Sequence, residues 1–205
     1  MKPSPQPVPT VSYENKIVFR SDRDGGESFY IMNPDGSEQR KLDDESVYEK
    51  AKAEEMEKGF PGATRKLIVR HEFNNWDIYL ADDEGRELRI TSDHADDYDP
   101  AWSLDGGQIA FVSHRGGQAD IWLLTDTSGR GDFIGAKDEH LTENQGDNRH
   151  PTWSPGGGQI AFWSDRDGGR KQIWVMGADG SNQHNISNNA YNDWNPVWIK
   201  WLPQE

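Results

Sequence analysis

The chain has 205 residues, and its 36 acidic against 22 basic side chains give a net charge of -14 at pH 7, so a phosphate backbone would repel it and nucleic acid is not an expected partner. No stretch approaches the roughly 18 to 20 apolar residues that would cross a bilayer as a helix, and the absence of cysteine removes disulfides, thiolate metal sites and cysteine nucleophiles. Nine Trp, seven Phe and six Tyr are more rings than a disordered acidic chain carries, while 21 Gly and 11 Pro point to short elements and many turns.

In chain order, residues 1–10 come first, with Pro3, Pro5, Pro7 and Pro9 in alternation. That composition favours extended polyproline II and reads as a linker or tail of a larger or tethered protein; the apolar core of a signal peptide is missing. Residues 11–205 read as one domain. Ile17-Val18-Phe19 leads into Ser21-Asp22-Arg23-Asp24-Gly25-Gly26 and a strand at Phe29-Tyr30-Ile31-Met32. A helical insertion follows at about 46–59: Ser46 and Glu49 fit a capping box, Lys50 to Lys58 favour helix, and Gly59 with Pro61 stop it. It replaces or decorates the first strand of its repeat. Its apolar face is weak, so it reads as a solvated decoration, with a lid or a partner contact as the other uses.

Two near copies fix the period. Pro100-Ala101-Trp102-Ser103 through Ile109-Ala110-Phe111 returns as Pro151-Thr152-Trp153-Ser154 through Ile160-Ala161-Phe162, 51 residues later. Ser164-Asp165-Arg166-Asp167-Gly168-Gly169 repeats the motif at Ser21. Four aromatic strands, at Phe29, Tyr79, Trp122 and Trp174, mean four repeats. Each reads as strands a to d joined by Asp-Gly and Gly-Gly turns. The expected fold is all-β: a small β-propeller of four blades, its C-terminal strand (Pro196 to Ile199) completing the N-terminal blade and so removing an open edge. A closed monomer is favoured because it requires no second chain; a dimer forming an eight-bladed ring is the alternative. Trp102, Trp122, Trp153, Trp174 and Trp198 are then packing residues between blades.

At Pro-x-Trp-Ser-x-Asp/Gly-Gly followed by Ile-Ala-Phe-x-Ser-Asp-Arg-Asp-Gly, the sequence resembles the TolB-like, or WD40-like Pro-Asp, propeller repeat family from about Ile17 to Trp198, most closely in the last two repeats and least at residues 43–66. The resemblance implies a scaffold for protein or peptide contact, and some members precede catalytic domains, so it fixes fold better than function. A periplasmic or extracellular location is expected.

The d-to-a loops and b-to-c hairpins should share one face, polar and mostly acidic. Tyr98, Arg149 and Trp194 differ from blade to blade in a way packing does not require, and are types enriched at binding hot spots. The residues before the strand-a prolines are Asp99, His150 and Asn195, with Glu49 aligned as a fourth. Tyr98, Asp99, Arg149, His150, Trp194 and Asn195 therefore form the expected ligand site, for a protein or peptide segment first and carbohydrate second. Glu49, Asp99, His150 and Asn195 around one axis would supply oxygen and nitrogen donors for Ca2+ or another divalent cation; the alternative is that they cap turns and bind water. No cofactor is required. Asp22-Arg23-Asp24 and Asp165-Arg166-Asp167 lack the later ligands of a calcium loop, and the Arg between the acids suggests local ion pairs. Catalytic residues are not assigned: the Gly-x-Ser-x-Gly elbow and the His-Glu-x-x-His helix are absent. A glycan-processing hydrolase or lyase on the same face, with His94, His114 and His150 in reach, is the enzyme alternative.

Overall fold

A computed structural model describes residues 13–60, 63–143 and 146–200. The Pro-rich stretch at 1–10 lies outside the described residues. In chain order the strands are β1 (Ile17–Ser21), β2 (Ser28–Met32) and β3 (Arg40–Lys41), then helix α1 (Ser46–Met56), then β4 (Glu57–Phe60), β5 (Ala63–Glu72), β6 (Asn75–Asp82) and β7 (Glu87–Arg89). They continue with β8 (Asp97–Trp102), β9 (Gln108–Ser113), β10 (Asp120–Thr125), β11 (Lys137–His140), β12 (Asn148–Trp153), β13 (Gln159–Ser164), β14 (Gln172–Gly177), β15 (His184–Asn185) and β16 (Asp193–Trp198).

These strands make four antiparallel sheets of four. The second, third and fourth are β4 to β7, β8 to β11 and β12 to β15; the first is ordered β16-β1-β2-β3. The predicted phase thus appears as backbone pairing, Ile17 opposite Trp198 and Ser21 opposite Asp193.

Three apolar seams join the sheets. Leu67, Ile78, Trp102 and Phe111 fill the seam between the second and third; Val112, Ile121, Trp153 and Phe162 the one between the third and fourth; Phe19, Met32, Trp163, Ile173 and Trp198 the one between the fourth and first. Trp102, Trp153 and Trp198 are each at most 2% exposed. At roughly 150–250 Å² per ring and about 25 cal/mol per Å², each contributes up to about 4 to 6 kcal/mol.

Within three of the sheets, polar residues tie neighbouring strands as regularly. Arg23, Arg115 and Arg166 each donate from Nε to the hydroxyl two residues back, Ser21, Ser113 and Ser164, at 2.9 Å. Their Nη2 groups reach Asp193, Asp97 and Asn148 at the start of a neighbouring strand, and their guanidinium planes cover Tyr30, Trp122 and Trp174 at 4.2, 4.5 and 4.5 Å. The Arg between the acids is therefore a structural clasp. At Gly36, φ is +82° and a Cβ would run into the Ile186 carbonyl of the adjoining sheet, which is why the turn there takes glycine.

Helix α1 departs from expectation in three ways. Ser46 is its first residue rather than its cap, because the Asp44 carboxylate upstream already accepts the Ser46 N–H at 2.9 Å. It ends at Met56, before Gly59, because residues 57–60 pair with β5 as β4, so the insertion precedes strand a and does not replace it. It is also not simply solvated: Tyr48, fully buried, and Ala51 pack with Val18, Ile31, Val197 and Ile199 of the first sheet. Among the described residues no helix is long and apolar enough to cross a membrane.

Candidate functional site

Strands β8, β12 and β16 share one irregularity. The ladder slips between Tyr98 and Ala101 and between Arg149 and Thr152, and on β1 opposite Trp194 and Val197. The residues at the slip are Asp99, His150 and Asn195, with φ of 50°, 52° and 50°. Each precedes a Pro, which disfavours the right-handed helical region, and sits in the left-handed region that Asn, Asp and His tolerate best among non-glycine residues. The backbone thus accounts for part of the chemistry that made these positions look like ligands.

The slip brings two of them together: Asp99 Oδ2 and His150 Nε2 are 3.3 Å apart. Burial pushes the His150 imidazole below its ordinary value; Asp99 opposes this, while Lys52, Arg149 and Arg20 add to it. Asn195 offers its backbone carbonyl to the Tyr48 hydroxyl at 3.1 Å. Glu49 is exposed on α1, and among the described residues no hydrogen bond or ion pair joins its carboxylate to Asp99, His150 or Asn195. Among those residues no group of three or more His, Asp and Glu side chains is arranged to hold a metal ion. The helix instead reaches inward through Glu55, which accepts a hydrogen bond from the Thr152 hydroxyl. Burial raises the Glu55 carboxyl, and Lys200 is the main opposing charge.

The remaining predicted residues belong to a ladder of alternating rings and cations across three sheets. The Arg149 guanidinium lies 5.9 Å from the Tyr98 ring and 5.8 Å from the Trp163 ring. The Lys171 ammonium lies 4.9 Å from Trp163 and 5.8 Å from Trp194. Tyr98 is held by a 2.9 Å bond between its hydroxyl and His114 Nε2, and burial pushes its phenol up to about 12. Arg149 is anchored to Asp147 at 2.7 Å and keeps its side chain 32% exposed. Trp194 is half-buried against the seam of the fourth and first sheets. Tyr98, Arg149 and Trp194 are thus members of one array, with Trp163 and Lys171 as the members the sequence reading missed. A signal existed: Trp163 occupies the position before the strand-b Ser that holds Arg20 and Val112 in other repeats, the same blade-to-blade variation that marked Tyr98.

The face is less acidic than expected, because its carboxylates are largely taken up by cations. Arg115 alone pairs with Asp93, Asp97 and Asp138. Of the loop read as Asn144 to His150, residues 144 and 145 lie outside the described residues.

No protein-family profile matches the chain. It is 33% identical over 135 residues to an uncharacterized protein of Agrobacterium fabrum, covering 66% of this chain and 43% of that protein. It is 31% identical over 169 residues to the Tol-Pal system protein TolB of Anaeromyxobacter dehalogenans, covering 82% of this chain and 37% of the relative. The chain therefore spans about two fifths of the length of the curated relatives it matches. Among solved structures it resembles a putative TolB from Agrobacterium tumefaciens, with a TM-score of 0.51 and 19% identity over 88% of this chain and 70% of that one. Hydrazine synthase of Kuenenia stuttgartiensis gives the same TM-score of 0.51 at 15% identity, over 87% of this chain and 32% of that one. At such identities these likenesses concern the fold alone.

Proposed function

The chain belongs to the TolB-like β-propeller repeat family, and from that premise we propose that it is a non-catalytic binding module that takes a protein or peptide segment on its loop face, outside the cytoplasm. In this reading the four sheets are the blades of one four-bladed ring in a monomer, with α1 packed on β16, β4, β5 and β8 and bonded through Glu55 to Thr152 of β12. The observation that carries the reading is the ladder from Tyr98 through Arg149, Trp163 and Lys171 to Trp194. The partly exposed Tyr98, Arg149, Lys171 and Trp194, set around the buried Trp163, offer ring faces to apolar or planar groups and N–H donors to backbone carbonyls, which suits an extended peptide. That a curated relative is named as a protein of the Tol-Pal system supports a protein partner over a carbohydrate.

The axial position is assigned to polar groups of the ligand rather than to a divalent cation. Positive charges on Lys52, Arg149 and Arg20 already act on His150, and they oppose a second cation beside Asp99. The test is a peptide array probed with the wild-type chain and with an Arg149→Ala/Lys171→Ala variant. Loss of the array signal at unchanged far-UV circular dichroism is expected; an unchanged signal would contradict the assignment.

A further inference from the structure

The second sheet carries the longest hairpin of the fold. β5 and β6 run ten and eight residues, against five or six for the equivalent strands elsewhere. Its turn is Phe73-Asn74, closed by the pair Glu72 and Asn75, with φ of 52° and 75°. Two central residues at positive φ suit Asn or Gly; a Phe there is a steric outlier. Phe73 is nevertheless 80% exposed and Trp76 44% exposed, so neither ring is fully used by the core. Arg89 lies 5.4 Å from the Phe73 ring, and His71 meets Trp76 edge-on at 5.1 Å.

Beside this tip is an open cleft of about 670 Å³, lined by Asn74, Asn75, Asp93, Asp96, His114 and Arg115 among others. Arg115 is already shared by Asp93, Asp97 and Asp138, and Asp96 adds a further carboxylate, so the cleft is net negative. The Asp96 carboxylate also accepts the Trp76 backbone N–H at 2.9 Å, which ties the aromatic tip to the cleft. His114, through its bond to Tyr98, joins the cleft to the ladder.

We propose that the Phe73 and Trp76 tip with this cleft docks a partner-protein segment in which a Lys or Arg neighbours an apolar side chain. The apolar group lies on the two rings and the cation enters the cleft among the carboxylates. The charge follows from the cleft and agrees with a chain of net charge -14. This rests on the reading of the loop face as the binding face and extends it to the second sheet.

The experiment is an NMR titration of the full chain with three acetylated, amidated pentapeptides: Gly-Lys-Leu-Lys-Gly, Gly-Lys-Ser-Lys-Gly and Gly-Glu-Leu-Glu-Gly. The amides of Asn74, Asn75, Tyr98 and Arg149 and the indole N–H groups of Trp76 and Trp194 are followed. The Lys-Leu-Lys peptide is expected to bind about tenfold more tightly than either control, and Phe73→Asn to weaken it about tenfold without lowering Tm, since Asn accepts the left-handed turn. Equal binding of the three peptides, or a fall in Tm with affinity unchanged, would overturn the inference. If the Lys-Leu-Lys peptide shifts Tyr98, Arg149 and Trp194 but not Asn74 or Trp76, this inference fails and the proposed function stands. If none of the peptides binds at either place, this inference fails, and the proposed function is decided by the peptide array.

Discussion

Asp99 and His150 occupy the same ladder slip in adjoining sheets, and their side chains meet at 3.3 Å. Because each sits at φ near 50°, the contact is a product of backbone geometry as much as of side-chain chemistry. It places a half-buried imidazole where protonation is opposed by burial and by three nearby cations.

That arrangement gives a signed pH effect. The folded state holds His150 below its ordinary value, so between that ordinary value, about 6.5, and the lower folded one the unfolded chain binds the proton more readily, and stability falls as pH falls. His150→Asn keeps a residue that tolerates the left-handed region, as Asn195 does in the first sheet. Urea melts at pH 7 and pH 5 should show wild type losing stability relative to His150→Asn on acidification. An unchanged difference would show that His150 is not held neutral by its surroundings.

The arginine clasp predicts a large effect from one residue. Asp97 is fully buried and its Oδ2 rests on Arg115 at 3.0 Å. Arg115→Ala strands that carboxylate and should destabilise the fold by about 3 kcal/mol, read from urea unfolding at pH 7. Arg115→Lys should recover only part, because an ammonium cannot bond Ser113, pair with Asp97 and cover Trp122 at once.

Two glycines separate conformation from contact. Gly25 and Gly36 have φ of +80° and +82°, but a Cβ at Gly25 would meet open space while one at Gly36 would strike the Ile186 carbonyl. Gly25→Ala should lower stability by about 1 kcal/mol, the penalty of the left-handed region alone. Gly36→Ala should exceed it clearly, with the difference measured by paired thermal melts.

The repeat was legible because its punctuation is local: Asp-Gly and Gly-Gly turns bound short apolar runs, and the spacing from Pro100 to Pro151 is visible without any contact map. The end of α1 was not, since Glu57 to Phe60 become a strand only by pairing with β5, a tertiary choice that overrides local helix preference. Glu49 illustrates the same limit. Aligned as if in strand a, it faces the axis; on a helix whose inward residue is Tyr48, it turns to solvent. Within the ladder, Tyr98, Arg149 and Trp194 stood out as unnecessary for packing, whereas Trp163, 6% exposed, reads in sequence as one more core ring.

The most direct test of the loop-face assignment is site-specific photo-cross-linking in an envelope extract, with a benzophenone amino acid placed singly at Tyr191, exposed in the loop that leads to Trp194 of the ladder, and at Asp179. Asp179 lies in the turn between β14 and β15, at the other end of the strands, and is exposed. The account predicts a discrete protein adduct from position 191 and none from 179. Adducts from 179 with none from 191 would contradict it.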